Sequence, residues 1–531
     1  MQFQKFYFGT TYYPERYPEN AELLREDADL LARLHMNTVI LSASTILYAA
    51  MDPGGKWLSG ILDLLSGAGV SVGIELPVNL PETWFLLSLD SDPRVIFFQT
   101  EKCGKDRALE LARVLKEMGI SKPVAIQIPE ESLFDTLSER ELVDVVCFSH
   151  RPDWTGSNLQ KEGRRMAFLE DRARCLTGTS FFMTGIDPMY LVNERGRKLK
   201  RPGLLTLEIF QAGMHGARGI FLSDLRQAVA GPDRYAGAVI AHSGRLDTEN
   251  IKELEQIGRM FGEVREMAST CVDARCAVWC GEDADLDRVF RTWSAIRLSG
   301  ISVDLIDGSS EIGGYVFVVA CGARRVSEEK AELIRAYIEG GGVFLAEWGF
   351  ATEDAVGRCY RGAVPHGLMD VFGLEVTEAE ELYPDEKTAL FVPSDFKGKY
   401  SARGIMECIE NHGADVMVRY ASGPYQDFPA LLRKQVGEGF AYYLGTDCGD
   451  TLLKALCEKI LKVRRGVAPM KMEEGIAVQR LFGEAAEYLV FQNYTDKVQK
   501  LPLVYNKLDI LFGFEPVSAF GAFVLRVPKK K

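Results

Sequence analysis

The sequence predicts an α/β protein, and three observations lead to this fold class. Short apolar stretches alternate with amphipathic stretches through roughly the first 250 residues, as in a parallel sheet covered by helices. The alternation starts again near Cys276, and from about Met470 it gives way to the apolar–polar alternation of antiparallel strands. At roughly 150 residues per domain, a chain of 531 residues has room for three or four domains. We therefore predict three domains, at residues 1–265, 275–465 and 470–531.

The first domain is predicted to be a (β/α) barrel of the TIM type, although an incomplete one. Its predicted strands are Phe6–Tyr12, Thr38–Ser42, Ser71–Leu76, Pro123–Ile128, Val143–Phe148, Ser180–Thr184 and Arg218–Ser223. A helix between the first two strands is indicated by leucines that recur on one helical face. Only seven strands are found, and the eleven residues between Glu131 and Val143 leave no room for another helix–strand–helix unit.

The remaining sequence predicts a connecting helix over Glu249–Glu266, followed by a second α/β domain and a small β domain. From CAVWC onward, apolar strands alternate with helices until a helix near Leu452–Val463, which is typical of a small doubly wound domain. The last segment contains the alternating stretches AEYLVFQNY and GAFVLRV, which predict a small antiparallel sheet.

Composition excludes several classes of function. Lys and Arg number 62 against 75 Asp and Glu, a net charge of −13 with no basic run, which disfavours nucleic-acid binding. No apolar run reaches the roughly 18 residues of a membrane span, and no signal peptide is visible. The eleven cysteines are scattered and odd in number, as expected of reduced thiols. We therefore expect a cytoplasmic protein that binds neither nucleic acid nor membranes.

Several segments, taken in order, carry a family resemblance. The first strand reads FGTTYYPERYPE, a later strand reads KPVAIQIPEE, the barrel ends with HGARGIFLSDLRQAVAGPDRY, and the second domain includes IRAYIEGGGVFLAEW. In this order they resemble glycoside hydrolase family 42, the β-galactosidases with a barrel, a trimerisation domain and a C-terminal β domain. The resemblance runs end to end, except for one segment missing between the fourth and sixth barrel strands. It implies a β-galactoside-like substrate, a homotrimer and no cofactor.

The resemblance also implies positions for the catalytic carboxyl groups. Hydrolysis with retention needs two carboxyls about 5–5.5 Å apart, and in a barrel they lie at the carboxyl ends of strands. Glu131 matches the family's acid/base, which follows the fourth strand, here taken as PVAIQI, and Glu130 takes the place of the family's Asn. Alternatively, both glutamates simply begin a helix after Pro129. Thr184 stands at the nucleophile position, where a hydroxyl without an adjacent base is a poor nucleophile.

A carboxylate at another strand end could take the role of the missing nucleophile. Asp224, Glu75 and Asp187 all lie at predicted strand ends, and each could oppose Glu131 across a rebuilt pocket. By the resemblance, Arg226 is retained next to Asp224, while the family's aromatic platform before it is lost. Asp233 matches a polar sugar contact in shortened form.

Further predicted ligand contacts come from other strand ends. Tyr12 belongs to the first-strand signature, His150 follows the strand VDVVCFS as a candidate ligand or base, and Trp154 is a candidate replacement for the aromatic platform. Cys103 matches the first zinc ligand of some family members, but one thiolate cannot complete a tetrahedral site, so no metal is predicted. Two functions remain open: a hydrolase with Glu131 as acid/base, or an inactive relative that binds carbohydrate or serves in assembly.

Overall fold

The chain forms two compact units. The computed structural model describes residues 5–52, 55–135, 140–156, 158–178, 180–193, 196–263, 270–282, 284–394, 396, 398–462, 470, 475–501 and 508–529. We call the two units the barrel unit (residues 1–272 and 473–531) and the sheet unit (residues 273–472). The C-terminal segment, predicted from sequence as a third domain, therefore shares a compact unit with the barrel.

The barrel unit alternates strands and helices as the sequence predicts. In chain order it contains β1 (Tyr7–Tyr12), α1 (Ala21–Arg33), β2 (Thr38–Leu41), α2 (Ala43–Ala50), α3 (Lys56–Gly67), β3 (Ser71–Leu76), α4 (Thr83–Ser91), β4 (Val95–Thr100), α5 (Lys105–Glu117), β5 (Val124–Gln127), β6 (Val145–Phe148), α6 (Leu159–Thr177), β7 (Phe181–Ile186), β8 (Tyr190–Asn193), β9 (Gly196–Leu199), α7 (Leu204–Met214), β10 (Ala217–Leu222) and α8 (Glu249–Glu263). Residues 264–266, the predicted end of α8, lie outside the described residues.

Eight parallel strands close into a barrel in the order β1-β10-β7-β6-β5-β4-β3-β2. The TIM-type fold is thus confirmed, whereas the count of seven strands, and with it the incomplete barrel, is wrong. The strand overlooked in the sequence is β4, VIFFQT, which begins four residues after α4 ends at Ser91. A short apolar run this close to an apolar helix cannot be separated from it by periodicity. As a consequence, the strand VAIQ is the fifth barrel strand and not the fourth.

The barrel interior is apolar at its centre and polar at its carboxyl end. Its core includes Phe97, Phe182 and Phe221, with ring centroids of Phe97 and Phe182 5.3 Å apart. Gly73 makes room for them, because a Cβ there would lie 2.3 Å from the Phe97 ring. Side chains two residues further along a strand point to the same side. On four strands these inward residues are polar, and we call them the polar layer: Glu75, Gln99, Gln127 and Thr184.

The sheet unit combines a parallel and an antiparallel region. Its elements are β11 (Cys276–Cys280), α9 (Leu286–Arg297), β12 (Val303–Ile306), β13 (Phe317–Cys321), α10 (Glu328–Glu339), β14 (Val343–Glu347), α11 (Met369–Phe372), β15 (Leu374–Glu381), β16 (Thr388–Phe391), β17 (Tyr400–Asn411), β18 (Asp415–Tyr420), β19 (Pro429–Val436), β20 (Gly439–Leu444), β21 (Thr446–Asp447) and α12 (Gly449–Lys462). Strands β12-β11-β13-β14-β20 are parallel neighbours, as a doubly wound domain requires. The antiparallel extension β19-β18-β16-β17-β15 was not predicted.

The C-terminal segment forms the antiparallel sheet that its alternation predicts. Strands β22 (Ile476–Phe482), β23 (Ala486–Asn493), β24 (Asp509–Phe512) and β25 (Ala522–Pro528) pair in the order β22-β23-β25-β24. This sheet packs on α7: the Tyr494 hydroxyl donates to Gln211 Oε1 at 2.7 Å, and Gln492 Nε2 donates to the Leu207 carbonyl at 2.8 Å. Within the described ranges, every helix is too short or too polar to span a bilayer.

Candidate active site

Glu75 is the one carboxyl among the four side chains of the polar layer. It is only partly exposed, and its Oε2 accepts a hydrogen bond from the Ala43 N–H at 3.3 Å. Burial, followed by the charges of Glu101 and Asp224, raises the pKa of Glu75 to about 7, against hydrogen bonds from Ala43 and Gln99 that lower it. A carboxyl with a pKa near neutrality exchanges protons readily at physiological pH, which is the property that general acid catalysis requires.

Glu101 lies beside Glu75 and directly follows β4, the fourth barrel strand. Its carboxylate accepts a hydrogen bond from the Val78 N–H at 3.2 Å, in the loop after β3. The resemblance places the acid/base after the fourth strand, and the structure puts Glu101 there, whereas Glu131 follows the fifth. The sequence prediction did not include Glu101, because β4 was not recognised as a strand. The signal was the apolar run VIFF followed at once by Gln-Thr-Glu.

Asp224 is the third carboxyl of this group and follows the last barrel strand. Arg16 Nη1 lies 2.8 Å from Asp224 Oδ2, and the Asp224 side chain is 18% exposed. Burial raises the pKa of Asp224 although the hydrogen bond and charge of Arg16 oppose the shift. The Arg16 guanidinium also stacks 3.7 Å from the Tyr13 ring centroid. Burial, together with the charges of Asp224 and Glu75, raises the pKa of Tyr13.

Glu130 and Glu131 begin a short 3-10 helix, Glu130–Phe134, after β5. His150 Nδ1 lies 2.6 Å from Glu130 Oε2. Burial alone would raise the pKa of Glu130, but the hydrogen bond and charge of His150 hold it below its usual value. Glu131 is exposed. This arrangement agrees with the alternative that the two glutamates start a helix, and it assigns His150 to Glu130 as its partner.

Thr184, at the expected nucleophile position, lies in the polar layer with its hydroxyl already engaged. It is 8% exposed, and its Oγ1 lies 2.9 Å from Gln127 Oε1 and 3.1 Å from the Phe148 carbonyl oxygen. Both partners are acceptors that cannot take up a proton at neutral pH, so neither can act as the base that a nucleophilic hydroxyl requires. Thr184 therefore acts here as a hydrogen-bond donor that satisfies Gln127.

Three predicted sugar contacts have partners within the barrel unit. Trp154 is 4% exposed, and its Nε1 donates to Glu208 Oε1 at 2.9 Å. The Tyr12 hydroxyl and Arg226 Nε both donate to the buried Asp27, at 3.2 Å and 2.6 Å. A buried indole offers no face to a sugar, so the position of Trp154 does not fit an aromatic platform.

The two remaining predicted contacts differ in exposure. Asp187 Oδ1 accepts hydrogen bonds from the N–H groups of Met189 and Tyr190, at 2.8 Å and 2.7 Å, and so stabilises the turn before β8. Asp233 is exposed in the loop after β10. Among the described residues, no group of three or more His, Cys, Asp or Glu side chains could hold a metal ion.

Family comparisons agree with the fold. Residues 97–264 match the family model described as β-galactosidase, and residues 281–466 match the β-galactosidase trimerisation domain. The chain belongs to glycoside hydrolase family 42. The β-galactosidase BglY of Alicyclobacillus acidocaldarius is 26% identical over 421 residues, which are 74% of this chain and 61% of that relative. The chain thus spans about three fifths of the length of this relative.

Solved structures show the same family-42 architecture. The cold-adapted β-galactosidase from Rahnella sp. R3 superposes with a TM-score of 0.84 at 19% identity, covering 99% of both chains. The β-galactosidase from Bacillus circulans sp. alkalophilus gives a TM-score of 0.83 at 17% identity, again over 99% of both chains. At such identities the likeness establishes the fold, and the chemistry of this family-42 chain has to be argued from its own residues.

Proposed function

We propose that this protein hydrolyses a β-galactoside-like sugar at the carboxyl end of its barrel, with Glu75 as proton donor and Glu101 as the second catalytic carboxyl. The family membership and the relatives named β-galactosidases support the substrate class. The observation that supports the roles is the partly exposed Glu75, whose pKa is raised to about 7 by burial and by the neighbouring Glu101 and Asp224 charges.

The proposed chemistry uses two carboxyls whose environments differ. Glycosidases pair a protonated carboxylic acid with an ionised carboxylate. Glu75 protonates the leaving-group oxygen, and Glu101 either attacks the anomeric carbon or activates a water molecule. Asp224, which pairs with Arg16 at 2.8 Å, holds that guanidinium at the edge of the proposed site, and the carboxyl groups of Glu75 and Glu101 favour the positive charge on the sugar ring of the transition state.

The roles are tested by aryl β-galactoside hydrolysis with single Gln variants. Removing a general acid costs about 10²–10⁴-fold in rate, so we expect this loss for Glu75→Gln with a phenyl leaving group. A dinitrophenyl leaving group departs without protonation, and it should restore most of the activity of Glu75→Gln but not that of Glu101→Gln. Glu131→Gln is the matched control, because Glu131 is an exposed glutamate at the end of a neighbouring strand.

The outcome also decides between this proposal and the prediction from sequence. Loss of activity in Glu131→Gln, with full activity in Glu75→Gln, would contradict our assignment and restore Glu131 as the acid. The stereochemical course adds a second measurement. Carboxyls about 5–5.5 Å apart give retention, and carboxyls about 6.5–9.5 Å apart give inversion, so product anomers observed by NMR report how Glu101 acts.

A second candidate function is sugar binding without hydrolysis. It is favoured by Thr184, which stands at the family's nucleophile position and donates its hydroxyl to Gln127 at 2.9 Å. In that case calorimetry would detect binding of galactose or a galactoside, while a broad panel of aryl glycosides would release no product. If the wild type releases product from an aryl glycoside and Glu75→Gln does not, this alternative is excluded.

We further propose that the protein is a homotrimer that works in the cytoplasm. The match of residues 281–466 to a trimerisation domain supports the trimer. The eleven free cysteines support a reducing compartment. Sedimentation equilibrium should give three times the mass of 59.1 kDa, and a monomer at micromolar concentration would refute the trimer. Cell fractionation tests the compartment.

A further inference from the structure

Gln99 and Glu75 are direct neighbours in the polar layer. They are register partners on the parallel strands β3 and β4, and both point into the barrel. Gln99 is 3% exposed. Its amide donates to the Glu75 carboxylate, while its Oε1 is buried and has no hydrogen-bond partner among the described residues. A buried acceptor without a donor is unfavourable, and the position of this one next to a carboxyl calls for a physical explanation.

A protonated Glu75 supplies the donor that Gln99 Oε1 lacks. A carboxylate only accepts hydrogen bonds, whereas a carboxylic acid has one O–H donor. A glutamine side chain has a donor and an acceptor at its end, and rotation of the terminal amide by about 180° exchanges them. Gln99 is therefore able to satisfy Glu75 in both protonation states without any change in the backbone.

The other groups around Glu75 do not offer this pair of functions. The Ala43 N–H at the start of α2 only donates. Glu101 after β4 and Asp224 after β10 add negative charge. Tyr13 after β1 and Cys147 on β6 interact with the Glu75 charge, and burial raises the pKa of both, so they are neutral near pH 7. Gln99 is thus the neighbour whose orientation follows the proton on Glu75.

We propose that Gln99 is a positioning residue that holds the proton of Glu75 through Oε1 before catalysis and turns to donate its amide N–H to the Glu75 carboxylate after proton transfer. The catalytic part rests on the proposed function. In that step the O–H bond of Glu75 breaks, the proton passes to the glycosidic oxygen, and the electron pair remains on Glu75. The amide then stabilises the anion, which makes the transfer easier than in a site without Gln99.

The test uses Gln99→Met, which keeps the length of the side chain and removes both polar groups. Gln127→Met is the matched control, because Gln127 is a buried glutamine of the same layer whose Oε1 accepts from Thr184. Infrared spectra of protein with ¹³C-labelled glutamate, recorded against pH, report the carboxylic acid band of Glu75, which Glu75→Gln identifies by its loss. In Gln99→Met we expect this band to move to higher frequency and the proton affinity of Glu75 to rise about tenfold, or one pKa unit. Gln127→Met should change neither.

An unchanged band and midpoint in Gln99→Met would overturn the inference. If that variant does not fold, the wild type suffices: the ¹⁵N side-chain resonance of Gln99 should shift with the same midpoint as the Glu75 band, and a resonance independent of pH would refute the link. These readouts need no substrate. A linked titration without hydrolysis therefore refutes the proposed function and keeps the Gln99–Glu75 pair, while hydrolysis with an unlinked titration refutes the pair alone. With an active enzyme, Gln99→Met should lower kcat on phenyl galactoside and leave KM unchanged.

Discussion

The carboxyl end of the barrel has two halves that differ in how their polar side chains are paired. The ends of β10, β3 and β4 present Asp224, Glu75 and Glu101, which we call the acidic half. The ends of β5, β6 and β7 present side chains that are hydrogen-bonded to one another, which we call the paired half: Glu130 with His150, Thr184 with Gln127 and Trp154 with Glu208. Burial raises the carboxyl pKa of Glu75 in the first half, whereas His150 lowers that of Glu130 in the second.

The difference supports the proposal that the acidic half is the active site. Carboxyls brought together against their mutual repulsion lower stability, and such arrangements concentrate at functional sites. Satisfied pairs stabilise the fold and leave little for a substrate to bind. The comparison therefore predicts the sign of two kinds of substitution: removing the charge of Glu75 stabilises the protein, and removing a partner from the paired half destabilises it.

The largest effect is expected from Trp154→Ala in the paired half. Trp154 is 4% exposed and packs among apolar residues that include Leu207 and Tyr494, so its truncation should cost about 3–5 kcal/mol in urea unfolding. Trp84→Ala is the matched control, because Trp84 is 62% exposed and should change stability by less than about 0.5 kcal/mol. If Trp154→Ala instead abolished sugar binding at unchanged stability, Trp154 would be the sugar platform and the comparison would fail.

The barrel could be predicted largely from periodicity, but one barrel strand, β4, was missed. Its omission affected which residues were considered for the site. The pattern of seven of the eight barrel strands is visible in the sequence. β4 follows the apolar helix α4 after only three residues, Asp92–Arg94, and so short a gap hides the boundary between the two elements. With β4 included, PVAIQI is the fifth barrel strand, so Glu131 follows the fifth strand and Glu101 follows the fourth.

The division into two halves could not be predicted, because it depends on partners distant in sequence. Trp154 and Glu208 are 54 residues apart, and Thr184 and Gln127 are 57 apart. A sequence shows that such residues are polar or aromatic but not that they meet. Glu75 was identified as one carboxylate among several, since its raised pKa comes from burial by surrounding strands.

The second prediction concerns Glu75→Gln in the acidic half. The pKa of Glu75 is raised from 4.5 to about 7, so the folded protein keeps a proton that the unfolded chain loses above pH 4.5. Stability is therefore lost as the pH rises through this window, and it stays low above pH 7. Gln cannot ionise, so Glu75→Gln should be about 2 kcal/mol more stable than the wild type at pH 8 and nearly equal to it at pH 4. Equal stability at both pH values would show that Glu75 carries no electrostatic cost.

The third prediction tests Thr184 as a structural donor. Thr184→Val preserves shape but leaves Gln127 Oε1 without the hydroxyl that lies at 2.9 Å, which should cost about 1.5 kcal/mol. Thr184→Ser keeps the hydroxyl and is the control, with a smaller loss from the deleted methyl group. In an active enzyme both variants should retain the wild-type kcat. A loss of kcat in Thr184→Val alone would assign the hydroxyl to the reaction and move the paired half into the active site.

The smallest effect, and the sharpest contrast with Glu75, is expected for Glu130→Gln. The pKa of Glu130 is lowered, so its contribution to stability is present above the ordinary Glu pKa of about 4.3 and is lost as the pH falls through the folded value. The side chain is 29% exposed, and solvent screening limits the loss in Glu130→Gln to about 1 kcal/mol at pH 7, with none near pH 3. Glu131→Gln, the exposed neighbour, should show no such loss.

The two halves should therefore differ in how stability depends on pH. At low pH, Glu75→Gln and Glu130→Gln should both be as stable as the wild type. As the pH rises, Glu75→Gln should become more stable than the wild type and Glu130→Gln less stable. If both variants were more stable than the wild type, or both less stable, the distinction between the two halves would be refuted.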